Sequence, residues 1–211
     1  MTNWDKESEF LKKLYISSFV LPTEIFNELK TQIYNNKKIE NLNTSGLAGH
    51  IKEEYSLNIS ENMNRYFSWC SSQKPVIDKI SKDQYLTNDV PIVCNELWVN
   101  FQKKYEFNPI HNHSGFASFI CFIKIPYDLE EEEKVFSIDN KVAQTHTSKL
   151  SFVFTNEAGE VVSYCVNVDK SFEGKMLMFV SKQHHMVYPF YTSDNYRITV
   201  SGNLRYEVKN A

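Results

Sequence analysis

Apolar residues recur along the chain in two different periods, and the change from one to the other falls near residue 91. Before it the spacing is helical. Ile25, Phe26, Leu29 and Ile33 form one stripe over residues 23–36, with Thr23 placed to cap the first turn after Pro22. A second helix is expected over residues 60–80, where Ser60 stands as N-cap and Met63, Tyr66, Phe67 and Cys70 repeat at helical spacing. Pro75 should kink or split it, because the ring removes a backbone donor and clashes with the preceding turn. Between the two helices, residues 40–58 hold the turn cluster Ser45-Gly46-Leu47-Ala48-Gly49 and no sustained period, which reads as a long loop over the core.

Beyond residue 91 the period becomes two, and β-branched and aromatic residues gather in short runs at 92–102, 116–125, 150–155, 160–168, 175–180, 185–190 and 196–206. Seven or eight such strands suggest a sandwich, and a jelly roll is a common way to arrange that number. The expected fold is mainly β with N-terminal helices, one domain over 1–211 in which a helical flank (1–90) precedes a β core (91–211). The acidic run Glu130 to Glu133 reads as a solvated loop.

Composition narrows the partners. A chain of 211 residues with 42% hydrophobic and 14% aromatic content suffices for one full core, and a net charge of −3 from interspersed charges makes no field that would attract nucleic acid or an anionic membrane. Cys70, Cys94, Cys121 and Cys165 are widely spaced with no C-x-x-C pair, so free thiols fit better than bridges. The N-terminus has no signal-peptide pattern, and no stretch of about 18 apolar residues occurs. A cytoplasmic location is expected, with a homodimer left open.

Candidate chemistry rests on histidine. His111 and His113 are two apart after Pro109, which holds Asn108 extended, so both imidazoles face one way if the segment is a strand and could reach one metal ion. His184 and His185 face opposite ways if extended, and spacing alone does not choose between them. His50 and His146 lie in polar segments and read as surface residues. Three imidazoles would leave positions open on a six-coordinate ion, as an oxidase requires. In the last run Arg197, Thr199, Ser201 and Asn203 share one face and Ile198, Val200, Gly202 and Leu204 the other. If the polar face is solvated this is a plain outer strand; if it points inward, Arg197 supplies a planar fork for a carboxylate and Thr199 a hydroxyl beside it. Trp98, Tyr105, Phe107 and Phe116 flank these positions and read as core more readily than as pocket lining.

In order along the chain stand Trp98-x-Asn100, His111-x-His113, Gly174 with Phe179, His185-x-Val187-x-Pro189 and Arg197-x-Thr199-x-x-x-Asn203. This order over residues 95–206 resembles the 2-oxoglutarate/Fe(II)-dependent dioxygenase superfamily, in particular an oxygenase group common in bacteria and tailed phages. The stretch from Ser45 to Ile51 is similar to the N-terminal part of phage-type members. The resemblance implies a double-stranded β-helix, cupin-like in outline, with iron(II) and 2-oxoglutarate at its open end and a hydroxylase activity consuming O₂ and a small-molecule or peptidyl substrate. It would sit in the host cytoplasm if phage-encoded. By motif position it implies His111, His113 and His185 as metal ligands and Arg197, Thr199, Asn100 and Asn203 around the cosubstrate. His185 is taken over His184 because H-x-V-x-P fits it.

Two positions depart from the family pattern. His113 occupies the slot usually held by Asp or Glu, leaving a bound iron one unit more positive than in the common site. Val180 replaces a proline that often follows the phenylalanine. The N-terminal helices and the 40–58 segment are expected to cover the open end. The rival readings are a cupin-type three-histidine metalloenzyme that needs no Arg197, and a non-enzymatic β-sandwich whose histidines only pack.

Overall fold

The computed structural model describes residues 1–36, 50–74, 76–83, 90–140 and 145–207. The expected helices form as α2 (Thr23–Asn36) and, on either side of Pro75, α3 (Glu61–Ser71) and α4 (Val76–Asp83). Ser60 caps α3 by accepting from the Met63 N–H at 3.2 Å. Thr23 is the first helical residue of α2 rather than its cap, and the Phe26 N–H donates to the Pro22 carbonyl instead.

Among the described residues, ten strands make two antiparallel sheets. The larger contains β1 (Ser17–Val20), β2 (Glu53–Ser56), β3 (Ile92–Gln102), β5 (Ala117–Lys124), β8 (Lys175–Val180) and β10 (Arg197–Tyr206), in the spatial order β1-β8-β5-β10-β3-β2. The smaller contains β4 (Asn108–His111), β6 (Leu150–Thr155), β7 (Val161–Val166) and β9 (His185–Val187), in the order β4-β9-β6-β7. Counted from β3 as first to β10 as eighth, the two sheets run 6-3-8-1 and 2-7-4-5, the interlocked Greek keys of a jelly roll. The expected double-stranded β-helix is therefore the fold.

The sheet faces explain the sequence pattern. On β5 and β8 both faces are covered, which is why their residues are apolar without alternation. Phe119, Cys121, Met176 and Met178 face a core shared with Leu29, Phe67 and Cys70 of the helices, while Ile120, Phe122, Leu177 and Phe179 face the space between the sheets, with Phe152 and Phe172. Each ring so buried contributes about 1.5–3 kcal/mol. Gly202 lets β10 pass under this packing: an added Cβ would lie 2.8 Å from the Glu96 carbonyl oxygen and against the Phe119 ring. Because α2 and α3 pack on the far face of the large sheet, they do not cover the open end as expected.

Other expectations are corrected. The 40–58 loop lies partly outside the described residues, as does most of the Ser45–Ile51 stretch, and within it Glu53–Ser56 form β2, paired to β3. α1 (Asn3–Lys13) and β1 add to the expected elements; α1 opens with a capping box in which the Asp5 N–H donates to Thr2 Oγ1 and the Thr2 N–H to Asp5 Oδ2. The acidic run is not a solvated loop but the first turns of α5 (Leu129–Asn140). Its Glu132 is fully buried and accepts from the Tyr191 and Thr192 N–H groups and from Thr192 Oγ1. This buried carboxylate pins α5 to the segment that leads into β10.

The cysteines carry free thiols, Cys165 half-buried and the others buried. Among the described residues no helix is long and apolar enough to cross a membrane.

Removing the Glu132 acceptor leaves buried donors unmatched. Glu132→Ala should destabilise the fold by about 2–4 kcal/mol in denaturant unfolding, and Glu132→Gln, which keeps one acceptor oxygen, by less than half of that.

Candidate metal centre and cofactor cavity

β4 and β9 pair so that His111 stands directly opposite His185, which brings the two rings to 4.3 Å between centroids. His113 lies just past the end of β4, where its N–H donates to the Ser181 carbonyl at 2.8 Å and turns the chain back across the sheet edge. Gly115 makes that turn possible. Its φ is +109°, and a Cβ there would stand 2.6 Å from the Leu204 carbonyl oxygen, to which the next N–H, of Phe116, donates. The His113 ring is thereby set 5.1 Å from that of His111 and 5.2 Å from that of His185. One nitrogen from each of the three lies within 4.8 Å of the others.

The tautomers suit a metal. The Pro109 carbonyl can only accept, so His111 Nδ1, 2.7 Å away, carries the proton and Nε2 keeps its lone pair. The Gln183 carbonyl does the same for His185 Nδ1 at 3.0 Å. Burial, followed by the neighbouring imidazoles, pushes His185 down to about 3 and His113 down to about 4, and burial lowers His111 as well. All three rings are neutral near pH 7, the form in which imidazole binds a metal. His185 is only 3% exposed and rests on the Phe179 ring. His184 is exposed and accepts from Asn112 Nδ2 at 2.9 Å, outside the cluster. His50 and His146 are exposed, as expected.

The polar face of β10 points inward, lining a cavity of about 570 Å³ between the sheets together with the three histidines. Arg197 is 3% exposed at its depth. Its five N–H groups are all engaged: Nε and Nη2 share Gln102 Oε1 at 2.9 and 2.6 Å, Nη2 also reaches the Tyr188 carbonyl, and Nη1 reaches the Ser148 carbonyl and Tyr127 Oη. Every acceptor is neutral. The fork expected to hold a carboxylate is thus capped by the Gln102 amide, which is tethered through Nε2 to the Glu106 carbonyl at 2.6 Å. Thr199 and Asn100 stand side by side in register along the cavity wall, with Asn100 Nδ2 at 3.5 Å from Thr199 Oγ1. Asn203 is occupied at both ends, accepting from Ser118 Oγ and donating to Glu96 Oε2.

Gln102, Tyr127 and Glu54 carry no motif that marks them in the sequence. For Gln102 a signal was present, since it is two residues beyond Asn100 and must share its face. Of the flanking aromatics, Trp98 lines the cavity beside His113, Phe116 is core, and Tyr105 and Phe107 are exposed.

Donor set and cavity together fit a divalent transition metal held by three nitrogens, with room for a chelating ligand whose far end meets a buried cation. A search of solved structures finds the same fold in a prolyl-4-hydroxylase from Pseudomonas putida, 12% identical, with 92% of this chain and 93% of that chain covered at a TM-score of 0.56. An oxidoreductase of the 2OG-Fe(II) oxygenase family from Burkholderia pseudomallei, also 12% identical, covers 97% of this chain and 90% of its own at a TM-score of 0.49, and carries no weight by itself. No curated protein matches the sequence. A family profile described as "Putative 2OG-Fe(II) oxygenase" matches residues 96–203, a span from the β3 strand to the end of the polar face of β10. With that match over half of its length, the chain belongs to the 2OG-Fe(II) oxygenase family and is a non-haem iron enzyme that uses 2-oxoglutarate.

Proposed function

We propose that His111, His113 and His185 hold the iron(II), that Arg197 and Thr199 hold the far carboxylate of 2-oxoglutarate, and that the enzyme hydroxylates a small-molecule or peptidyl substrate. The observation that carries this reading is Arg197: a buried guanidinium lining the cavity whose hydrogen-bond partners among the described residues are all neutral. A buried cation is costly without a counter-charge. A carboxylate is a stronger acceptor than the Gln102 amide for the same fork, so its arrival would displace that amide and supply the missing charge. Asn100 stands beside Thr199 on the cosubstrate side of the wall, and Asn203, braced by Ser118 and Glu96, shapes the rim. The chemistry supplied when metal and cosubstrate are both bound is decarboxylation of 2-oxoglutarate to succinate, coupled to O₂-dependent oxidation of a second substrate.

The protein's own part is placement. Phe179 and the Gln183 carbonyl fix the His185 ring, and the Pro109 carbonyl fixes His111, so the donor nitrogens are oriented in advance. With three neutral imidazoles the centre carries one more positive charge than a two-histidine, one-carboxylate site, which favours the dianionic cosubstrate. Free thiols at four cysteines support a reducing, cytoplasmic setting.

Ni(II) at a hundredfold excess over its dissociation constant should stabilise the chain by about 2.7 kcal/mol in a thermal-shift experiment. His185→Ala should lose that stabilisation and His184→Ala should keep it; the reverse pattern would move the ligand assignment. Because Arg197 also joins β10 to Gln102, Ser148 and Tyr188, its variant must be shown to fold. Arg197→Lys should retain the Ni(II) shift yet bind 2-oxoglutarate at least tenfold more weakly, about 1.4 kcal/mol, by calorimetry. An unchanged 2-oxoglutarate affinity in that variant would contradict the cosubstrate assignment.

A further inference from the structure

We propose that the cavity recognises its primary substrate through a cationic nitrogen group, an ammonium or guanidinium, received by the Glu54 carboxylate on β2. The inference deepens the oxygenase reading and rests on it for the identity of the site.

The placement follows from register. β2 is an edge strand paired to β3, and Glu54 stands opposite Asn100, which in turn stands opposite Thr199 on β10. Residues opposed across neighbouring antiparallel strands point to the same face. Glu54, Asn100 and Thr199 therefore form one row across three strands, and all three line the cavity.

Glu54 is 5% exposed, yet among the described residues no group donates a hydrogen bond to its carboxylate and no cation pairs with it. Its electrostatic neighbour is another acid, Glu106; burial first, and then Glu106, pushes the carboxyl up to about 7. The surrounding wall has the same bias. Asn95, Asn100 and Asn108 all line the cavity, and each buries an amide oxygen to which no group among the described residues donates. Buried acceptors without donors are destabilising, and natural folds keep such groups chiefly where function requires them.

A wall with surplus acceptors and one unpaired carboxylate is complemented by a ligand with surplus donors and positive charge. The cosubstrate does not qualify, because a dianion against Glu54 is repelled. The metal does not qualify either, since the cluster of possible ligand atoms contains the three histidines and not Glu54. Arg197 is committed to its own five contacts. An ammonium offers three donors and a guanidinium five, enough to serve Glu54 and a neighbouring amide oxygen together.

The test uses the full chain, both metal-free and loaded with Zn(II) and 2-oxoglutarate, with n-butylammonium and methylguanidinium as probes and n-butanol and butyrate as comparators, followed by saturation-transfer NMR. Wild type should bind one or both cations at least tenfold more tightly than the neutral and anionic comparators. Glu54→Gln should lose at least tenfold of that cation affinity while its 2-oxoglutarate affinity stays within twofold. Having no unpaired carboxylate, the metal-free variant should also melt about 2–4 °C higher than wild type at pH 8. Equal binding of cations by wild type and Glu54→Gln, or equal binding of cations and butanol by wild type, would overturn the inference. So would a larger loss of 2-oxoglutarate than of cation, which would make Glu54 part of the cosubstrate pocket. If wild type binds no 2-oxoglutarate, the oxygenase assignment fails while the cation titration of the metal-free chain still decides this one.

Discussion

A buried cation whose direct hydrogen-bond partners among the described residues are all neutral is the constraint on which the interior depends. Arg197 lies at the closed end of the cavity, and its carbonyl, amide and phenol partners satisfy its hydrogen bonds but not its charge. The neutral histidine cluster lines the same cavity. In the proposed assignment the far carboxylate of 2-oxoglutarate would supply the counter-charge that Arg197's own hydrogen-bond partners do not. The apolar packing lies between the helices and the back of the large sheet, and between the sheets, where Ile120, Phe122, Leu150 and Phe179 also line the cavity.

Local chemistry then sets each side chain. The carbonyls of Pro109 and Gln183 choose the tautomers, Gly115 permits the turn that brings His113 back, and Gln102 caps the guanidinium fork. Histidine at position 113 would give a metal held there one negative charge fewer around it than a carboxylate would. Glu54, farther along the wall, is a buried carboxyl with which no described residue pairs.

Much of this was legible from residue order, because strands have a period of two. The alternation in 197–204 separates Arg197, Thr199, Ser201 and Asn203 from Ile198, Val200 and Leu204, and the structure uses that division directly. The pairing of His111 with His113 followed from the same rule, whereas His185 was preferred to His184 by motif position alone, and the three rings do stand together. What could not be read depended on contacts distant in sequence. Glu132 looked like one of four solvated acids, and it is buried only because the backbone near Tyr191 meets it. β2 is four residues long in a polar stretch, and its pairing with β3 is set by the sheet edge rather than by its own pattern. The capping of Arg197 by Gln102 arises from cross-strand register, which no single run of residues specifies.

The most direct measurement is an anaerobic titration of the metal-free protein with Fe(II) and 2-oxoglutarate, monitored by visible absorption. The account predicts a saturable metal-to-ligand charge-transfer band at one equivalent of each, lost in His185→Ala and requiring far more 2-oxoglutarate in Arg197→Lys. A protein that forms no such band, or forms it equally in all three chains, would contradict it.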